Sequence, residues 1–202
     1  MAGAKFELVF NQSQVQAAIQ AMAATPAEIT KASDRAARHT LNAMKTLIAR
    51  SISVQLNIPV NKLKTRLSIK RYSASSPVWI LWVGLNAMPV DQIGPVSQNP
   101  TGLSHRNGIV KGGFHQALFG QGRHGWIRKK RARELGLNLP GLEKWKHNVT
   151  FHGELKHKFP VVRISTDLGK AAETIINHWQ SKARGRFLTR FEHELANIKR
   201  KK

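Results

Sequence analysis

The sequence predicts an α+β fold: an antiparallel or mixed β-sheet with long N-terminal and C-terminal helices and a loop-rich central hairpin. Three observations carry that prediction. Apolar residues recur at steps of three and four near each end of the chain, as on the buried face of a helix. Between these stretches lie short alternating or continuous runs of β-branched and aromatic residues. Clusters of Gly, Pro and Ser separate the runs, which suits strands joined by turns.

The first long helix starts at Thr25-Pro26-Ala27-Glu28. Thr25 is a capping residue, Pro26 suits the first helical position and Glu28 completes a capping box. The helix should run from Pro26 to about Val54. Ile29, Ala32, Ala36, Ala43 and Leu47 form one apolar line, and Leu41, Met44, Ile48 and Ile52 its neighbour. A shorter helix, Ser13 to Ala24, precedes it, and another with Pro59 near its start covers Asn57 to Arg66. Leu67 to Tyr72 alternates as a strand does. Val78 to Leu85 is apolar throughout and predicts a well-covered partner strand.

Asn86 to Gly113 holds Pro89, Gly94, Pro95, Pro100, Gly102 and Gly108 and reads as loop. Residues 111–130, KGGFHQALFGQGRHGWIRKK, then predict a hairpin. Phe114 to Phe119 and Trp126 to Lys130 are its strands, and Gly120-Gln121-Gly122 turns the chain. Gly112 and Gly113 permit a kink or a close backbone approach. Arg131 to Phe159 is basic and patternless, an insertion with little core of its own. Phe159 to Thr166 is one more strand. Asp167 caps the last helix, whose apolar line runs through Leu168, Ala172, Ile175, Trp179, Ala183, Phe187, Phe191, Leu195 and Ile198 to the basic end of the chain. Gly185 weakens this helix by about 1 kcal/mol against Ala and is a candidate bend. At 202 residues the expectation is a single domain, 1–202, carrying a loop-rich segment 86–113 and a basic insertion 131–158.

Charge narrows the function classes. Lys and Arg number 33 against 11 Asp and Glu, a formal net charge of +22. A compact chain with that excess repels itself, so an anionic partner is expected. No acid occurs from Arg35 to Val90, nor from Gln92 to Arg133. The candidate contacts with DNA or an acidic partner are Arg106, Lys111, Arg123, Arg128, Lys129, Lys130, Arg131 and Arg133. No cysteine is present, which excludes disulfides and Cys-based zinc sites. The longest apolar run, Val78 to Leu85, is far too short to span a bilayer, and no membrane partner is expected.

Catalytic readings find little. Gly120-Gln121-Gly122-Arg123-His124-Gly125 has the spacing of a dinucleotide loop, but the strand-like Trp126-Ile127-Arg128 follows where a helix is needed. No Walker lysine and hydroxyl pair occurs. His147, His152 and His157 are spaced by five, which aligns them on neither a helix nor a strand. His115 and His124 could meet across the hairpin, without an evident third ligand. A nuclease would need carboxylates or a histidine oriented by a partner, and only Asp91 and Glu134 flank the acid-free region. Trp126 beside basic residues is compatible with base stacking, though a core position is the commoner fate. No catalytic residue, metal or cofactor is assigned.

The order of motifs resembles the prophage minor tail protein Z family, the tail-completion proteins of lambda-like phages. The likeness rests on the Ala-rich basic helix Ala32 to Arg50 and on Gly112-Gly113-Phe114-His115-Gln116-Ala117-Leu118 followed by Gly125-Trp126-Ile127-Arg128. It also rests on Pro160-Val161-Val162-Arg163-Ile164 leading into the C-terminal helix. Gly112, Gly113, Phe114 and Trp126 are its clearest markers. It covers most of the chain in order, and Arg131 to Lys158 departs from it by its length. The resemblance implies a non-enzymatic virion protein made in the host cytoplasm. It would complete the head-proximal end of the tail as a homo-oligomeric ring. Tail terminator, tail tube and neck proteins would be its partners, with the end of the packaged DNA nearby. The alternative reading is a sequence-independent nucleic-acid-binding protein that holds phosphates through its basic centre.

Overall fold

A computed structural model describes residues 3–7, 12–71, 79–118, 120, 122–142 and 160–201. The fold is α+β, with small antiparallel sheets and a long helix toward each end. The chain forms two compact units. One comprises Met1–Gln55, Val60–Leu85 and Lys170–Lys202; the other comprises Leu56–Pro59 and Asn86–Gly169. No helix among the described residues is long and apolar enough to cross a membrane.

The first unit contains helices α1 (Gln12–Ala21), α2 (Pro26–Leu56), α3 (Val60–Lys64) and α6 (Gly169–Arg200). The capping box at the start of α2 is closed both ways. Thr25 N–H donates to Glu28 Oε2 at 2.8 Å, and Glu28 N–H donates to Thr25 Oγ1 at 3.4 Å. Two orphan amides of the helix end are thereby satisfied. Ala32, Ala36 and Ala37 pack against Phe187, Phe191 and Leu195 of α6. The small side chains admit the two phenyl rings, which stack with centroids 6.0 Å apart. Gly185 does not break α6, which continues to Arg200.

A three-stranded sheet, β1 (Gly3–Glu7), β3 (Trp79–Gly84) and β2 (Leu67–Arg71) in spatial order, completes this unit. The β2–β3 pairing is antiparallel, with Leu67 opposite Val83. Leu81 and Val83 are buried, as the apolar run predicts. Trp79 Nε1 donates to Asp34 Oδ1 of α2 at 2.9 Å, and Arg71 pairs with the same carboxylate at 3.4 Å. The turn residues 72–78 lie outside the described residues.

The second unit corrects two expectations. Residues 86–113 are not plain loop. They hold β4 (Met88–Pro89), the short helix α4 (Val90–Ile93), and a sheet of β5 (Ser97–Asn99), β6 (Gly102–His105) and β7 (Gly108–Lys111). Strands this short alternate too little to be seen among so many glycines and prolines. β7 is an edge strand whose Ile109 is 54% exposed. The start of the supposed coreless insertion is also structured. Helix α5 (Lys129–Glu134) buries Ala132, and Leu139 and Leu142 join Val90, Leu103, Ile127, Val162 and Ile164 in one core. Residues 143–159, with His147, His152 and His157, lie outside the described residues.

The central hairpin is present as β8 (Gly113–Ala117) and β9 (Arg123–Arg128), with β10 (Val161–Arg163) on the other side of β9. The second strand starts earlier than expected, and Lys129 and Lys130 open α5 instead of extending it. The expected last strand divides at Ile164, after which β11 (Ser165–Thr166) pairs with β4. Ile164 bridges the two sheets: its N–H donates to Gly125 O at 2.9 Å and its carbonyl accepts from Val90 N–H at 3.1 Å. Asp167 caps α6 through Oδ1, which accepts from Gly169 N–H at 2.9 Å.

Candidate basic interface

The eight candidate contact residues and the four hairpin markers all fall in the second unit. The hairpin is fixed by its glycines. Gly112 has φ +76°, a conformation that L side chains avoid, and Arg131 lies over it: a Cβ there would sit 3.1 Å from Arg131 Cγ. A Cβ on Gly113 would meet Ile164 Cδ1 at 2.9 Å and Leu103 Cβ at 3.0 Å. The close approach expected of this pair is real. Gly120 turns the chain with φ +70°.

Cross-strand pairing sets the faces. Phe114 stands opposite Trp126, Gln116 opposite His124, and Arg163 of β10 on the other side of Trp126. Residues opposite one another share a face. Trp126 is only 8% exposed, and its indole N–H donates to Gln116 O at 3.0 Å. It is a core residue, not a platform open to a base.

The cations divide by what already holds them. Arg106 donates through Nε to Asn57 O at 2.9 Å and to Asn57 Oδ1 at 3.1 Å. Asn57 has φ +50°, so the guanidinium braces a left-handed turn. Arg131 pairs with Glu134 at 3.0 Å. Arg133 donates to Leu142 O at 3.3 Å, beside a hollow of about 540 Å³ lined by Gly136 to Leu142. Lys129 is engaged in a further interaction. Lys111, Arg123, Arg128 and Lys130 are exposed, and their side chains have no hydrogen-bonding or acidic partner among the described residues. Of the eight candidates, four are therefore free among the described residues and four are engaged; Arg123 and Arg128, five positions apart on β9, point to opposite faces of the sheet.

A polar cluster escapes sequence reasoning. Asp91 of α4, His124 of β9 and Arg163 of β10 converge on one oxygen, Asp91 Oδ2. It lies 2.8 Å from Arg163 Nη2 and 3.0 Å from His124 Nδ1. The Arg163 Nη2 and His124 Nδ1 atoms are themselves 2.6 Å apart. If Nδ1 carries the proton it donates to Asp91 but opposes the arginine donor. If it does not, it accepts from Arg163 but faces the carboxylate lone pairs. Only the Asp91–Arg163 edge is attractive in both tautomers. Burial pushes the Asp91 carboxyl up; hydrogen bonds from Arg163 and His124, with the Arg163 charge, outweigh this and hold it below 3.8. Asp91 Oδ1 and Arg163 Nε are buried with no hydrogen-bond partner.

Asp91 thus does reach His124, whereas Glu134 turns to Arg131. The cluster is an internally paired acid, imidazole and guanidinium, with Asp91 Oδ1 and Arg163 Nε left unpaired. Its edge-on contact with Trp126, centroids 6.2 Å apart, seats it against the hairpin core. No group of three or more His, Cys, Asp or Glu side chains among the described residues could hold a metal ion. Comparison of the chain with protein-family models, with curated proteins and with solved structures finds no match.

Proposed function

We propose that the chain is a structural virion protein of a tailed bacteriophage that completes the head-proximal end of the tail. On this reading it acts without catalysis, as a homo-oligomeric ring between neck and tail. Tail terminator and tube proteins are its neighbours and the packaged DNA end lies close by. The setting rests on the motif order from Ala32 through Gly112-Gly113-Phe114, Trp126 and Pro160-Val161-Val162 to the basic C-terminal helix. The observation that carries the mode of action is the set of Lys111, Arg123, Arg128 and Lys130. These are four cations without partners among the described residues: Lys111 ends β7, Arg123 and Arg128 lie at the two ends of β9, and Lys130 is on α5, next to a hairpin held by close packing at Gly113 and Gly125. Cations seated on so fixed a backbone can hold an anionic partner with little ordering of the chain.

The test is genetic and compositional. Particles from which the gene has been deleted should lack joined, infectious heads and tails, and peptides of this chain should appear in purified virions. Fully infectious deletion particles would reject the reading. The same cations favour a second reading, sequence-independent binding to nucleic acid through phosphates. The two readings are compatible, since a ring around a DNA channel would do both.

A further inference from the structure

The first unit carries a second basic feature that belongs to neither the hairpin nor its cations. Helix α2 presents Arg35, Arg38, His39 and Asn42, and α6 presents Arg186, Thr189, Arg190 and His193. Both sets have the i, i+3, i+4, i+7 spacing of one helix face. Beside them runs the apolar seam in which Ala32, Ala36 and Ala37 receive Phe187 and Phe191. Because the alanines are small, the helices come close, and long polar side chains border the seam on both helices. Between them lies a trough of about 370 Å³ lined by His39, Thr40, Arg186, Thr189, Arg190 and His193. That is near the lower end of the range for small-ligand sites, about 300–1,000 Å³.

Its lining is built for an anion. Among the described residues, Glu194 is the acid paired there, buried and ion-paired with Arg190 at 2.7 Å and Arg35 at 3.7 Å. Arg186 and Arg38 have no hydrogen-bonding or acidic partner among the described residues. Two further polar atoms are buried with none: Thr40 Oγ1 and Arg190 Nε. Thr40 is 1% exposed, and leaving a hydroxyl unpaired at that depth is unfavourable. A helical threonine ordinarily donates to the carbonyl four residues back, as Thr30, Thr46, Thr174 and Thr189 all do here. Thr40 does not. An uncommitted hydroxyl, two guanidinium groups and two imidazoles thus line one trough.

We infer that this trough is a phosphate-binding site, in which Arg186 and Arg190 supply charge-assisted donors and Thr40 a hydroxyl donor to one tetrahedral oxyanion. Arginine forks match phosphate oxygens in geometry as well as charge. The inference concerns the first unit alone and does not rest on the virion reading. The phosphate has two sources, a free phosphate ion or a phosphodiester of a nucleic-acid backbone.

Calorimetric titration of the full chain with inorganic phosphate at low salt should show saturable binding near one site per chain. Arg186→Gln should weaken it by at least about tenfold and Thr40→Val by about fivefold, while Lys64→Gln, at an exposed position of α3 that does not line the trough, leaves it unchanged. Thr40→Val keeps the shape and removes a buried orphan, so its folding midpoint should hold or rise. Parallel titration with a short duplex lacking terminal phosphates separates the sources. Duplex affinity that falls with Arg186→Gln assigns the site to backbone phosphate. Duplex affinity indifferent to that change, with phosphate binding still lost, assigns it to the free ion. Absent saturable phosphate binding, or binding that both trough variants leave intact, overturns the inference.

Discussion

The free cations of the hairpin unit make a quantitative prediction about salt. Each phosphate neutralised on duplex DNA releases condensed counterions and contributes about −0.9 to the slope of log affinity against log salt. Lys111, Arg123, Arg128 and Lys130 stand without side-chain partners among the described residues. Four such contacts give a slope near −3.6, or a loss of about 150-fold between 50 and 200 mM salt. Substituting the four by Gln singly should make the slope shallower by about 0.9 at each engaged position, and together should remove most of it. Arg131→Gln should change it less, because Glu134 already holds that guanidinium at 3.0 Å. Fluorescence anisotropy of a labelled duplex of arbitrary sequence, measured at five or six salt concentrations, reads the slope directly. A wild-type slope shallower than about −1 would refute phosphate contact by these residues, as would a slope unmoved in the quadruple variant.

Three further outcomes follow from the fold. Gly185→Ala should stabilise the protein by about 1 kcal/mol in urea denaturation, since α6 runs through Gly185 and nothing lies within 4 Å of a Cβ added there; destabilisation would mean a local departure from helix. Gly125→Ala should destabilise by about 1–3 kcal/mol in the same assay, because the added methyl meets Leu103 Cδ2 at 2.6 Å and Val90 Cγ2 at 3.1 Å. Acid should weaken the hairpin unit in two windows. Burial holds the His105 imidazole below 6.5, so the unfolded chain takes that proton first and stability falls as pH drops below about 6.5. Asp91 contributes above 3.8 and loses its contribution as pH falls further, through its depressed folded value. His105→Gln should flatten the first window and Asp91→Asn the second; urea midpoints that are flat from pH 7 to pH 3 would contradict both assignments.

Local signals were legible where one stretch of chain contains the whole cause. Thr25 and Glu28 lie three positions apart and cap the helix as their spacing predicts. The α6 apolar line is nearly as expected, with Ile176 rather than Ile175 buried. The hairpin glycines do what their position suggests, although α5 begins at Lys129, one residue before the expected strand end. What escaped was non-local. β1 gains its place only by pairing with β3, some eighty residues on. The strands at 97–111 are three or four residues long, and tertiary packing through Leu103 rather than alternation holds them. Asp91, His124 and Arg163 are separated by 33 and 39 positions, and no spacing rule joins them. The unpaired Thr40 hydroxyl is likewise invisible in a sequence, where its neighbours on α6 lie far away.

Lys111 has a second consequence, one of self-recognition. It ends β7, the four-residue edge strand that leaves Ile109 exposed and, among the described residues, is paired on one side only. An open edge with an apolar side chain is a template for another copy of itself, and an assembly grown that way has no natural stopping point. A lysine at the end of so short a strand opposes it, because stacking two copies edge to edge would bring like charges together. The charge offered to an anionic partner therefore also discourages this strand from pairing with its own kind. A neutral residue at that position would give up both effects at once.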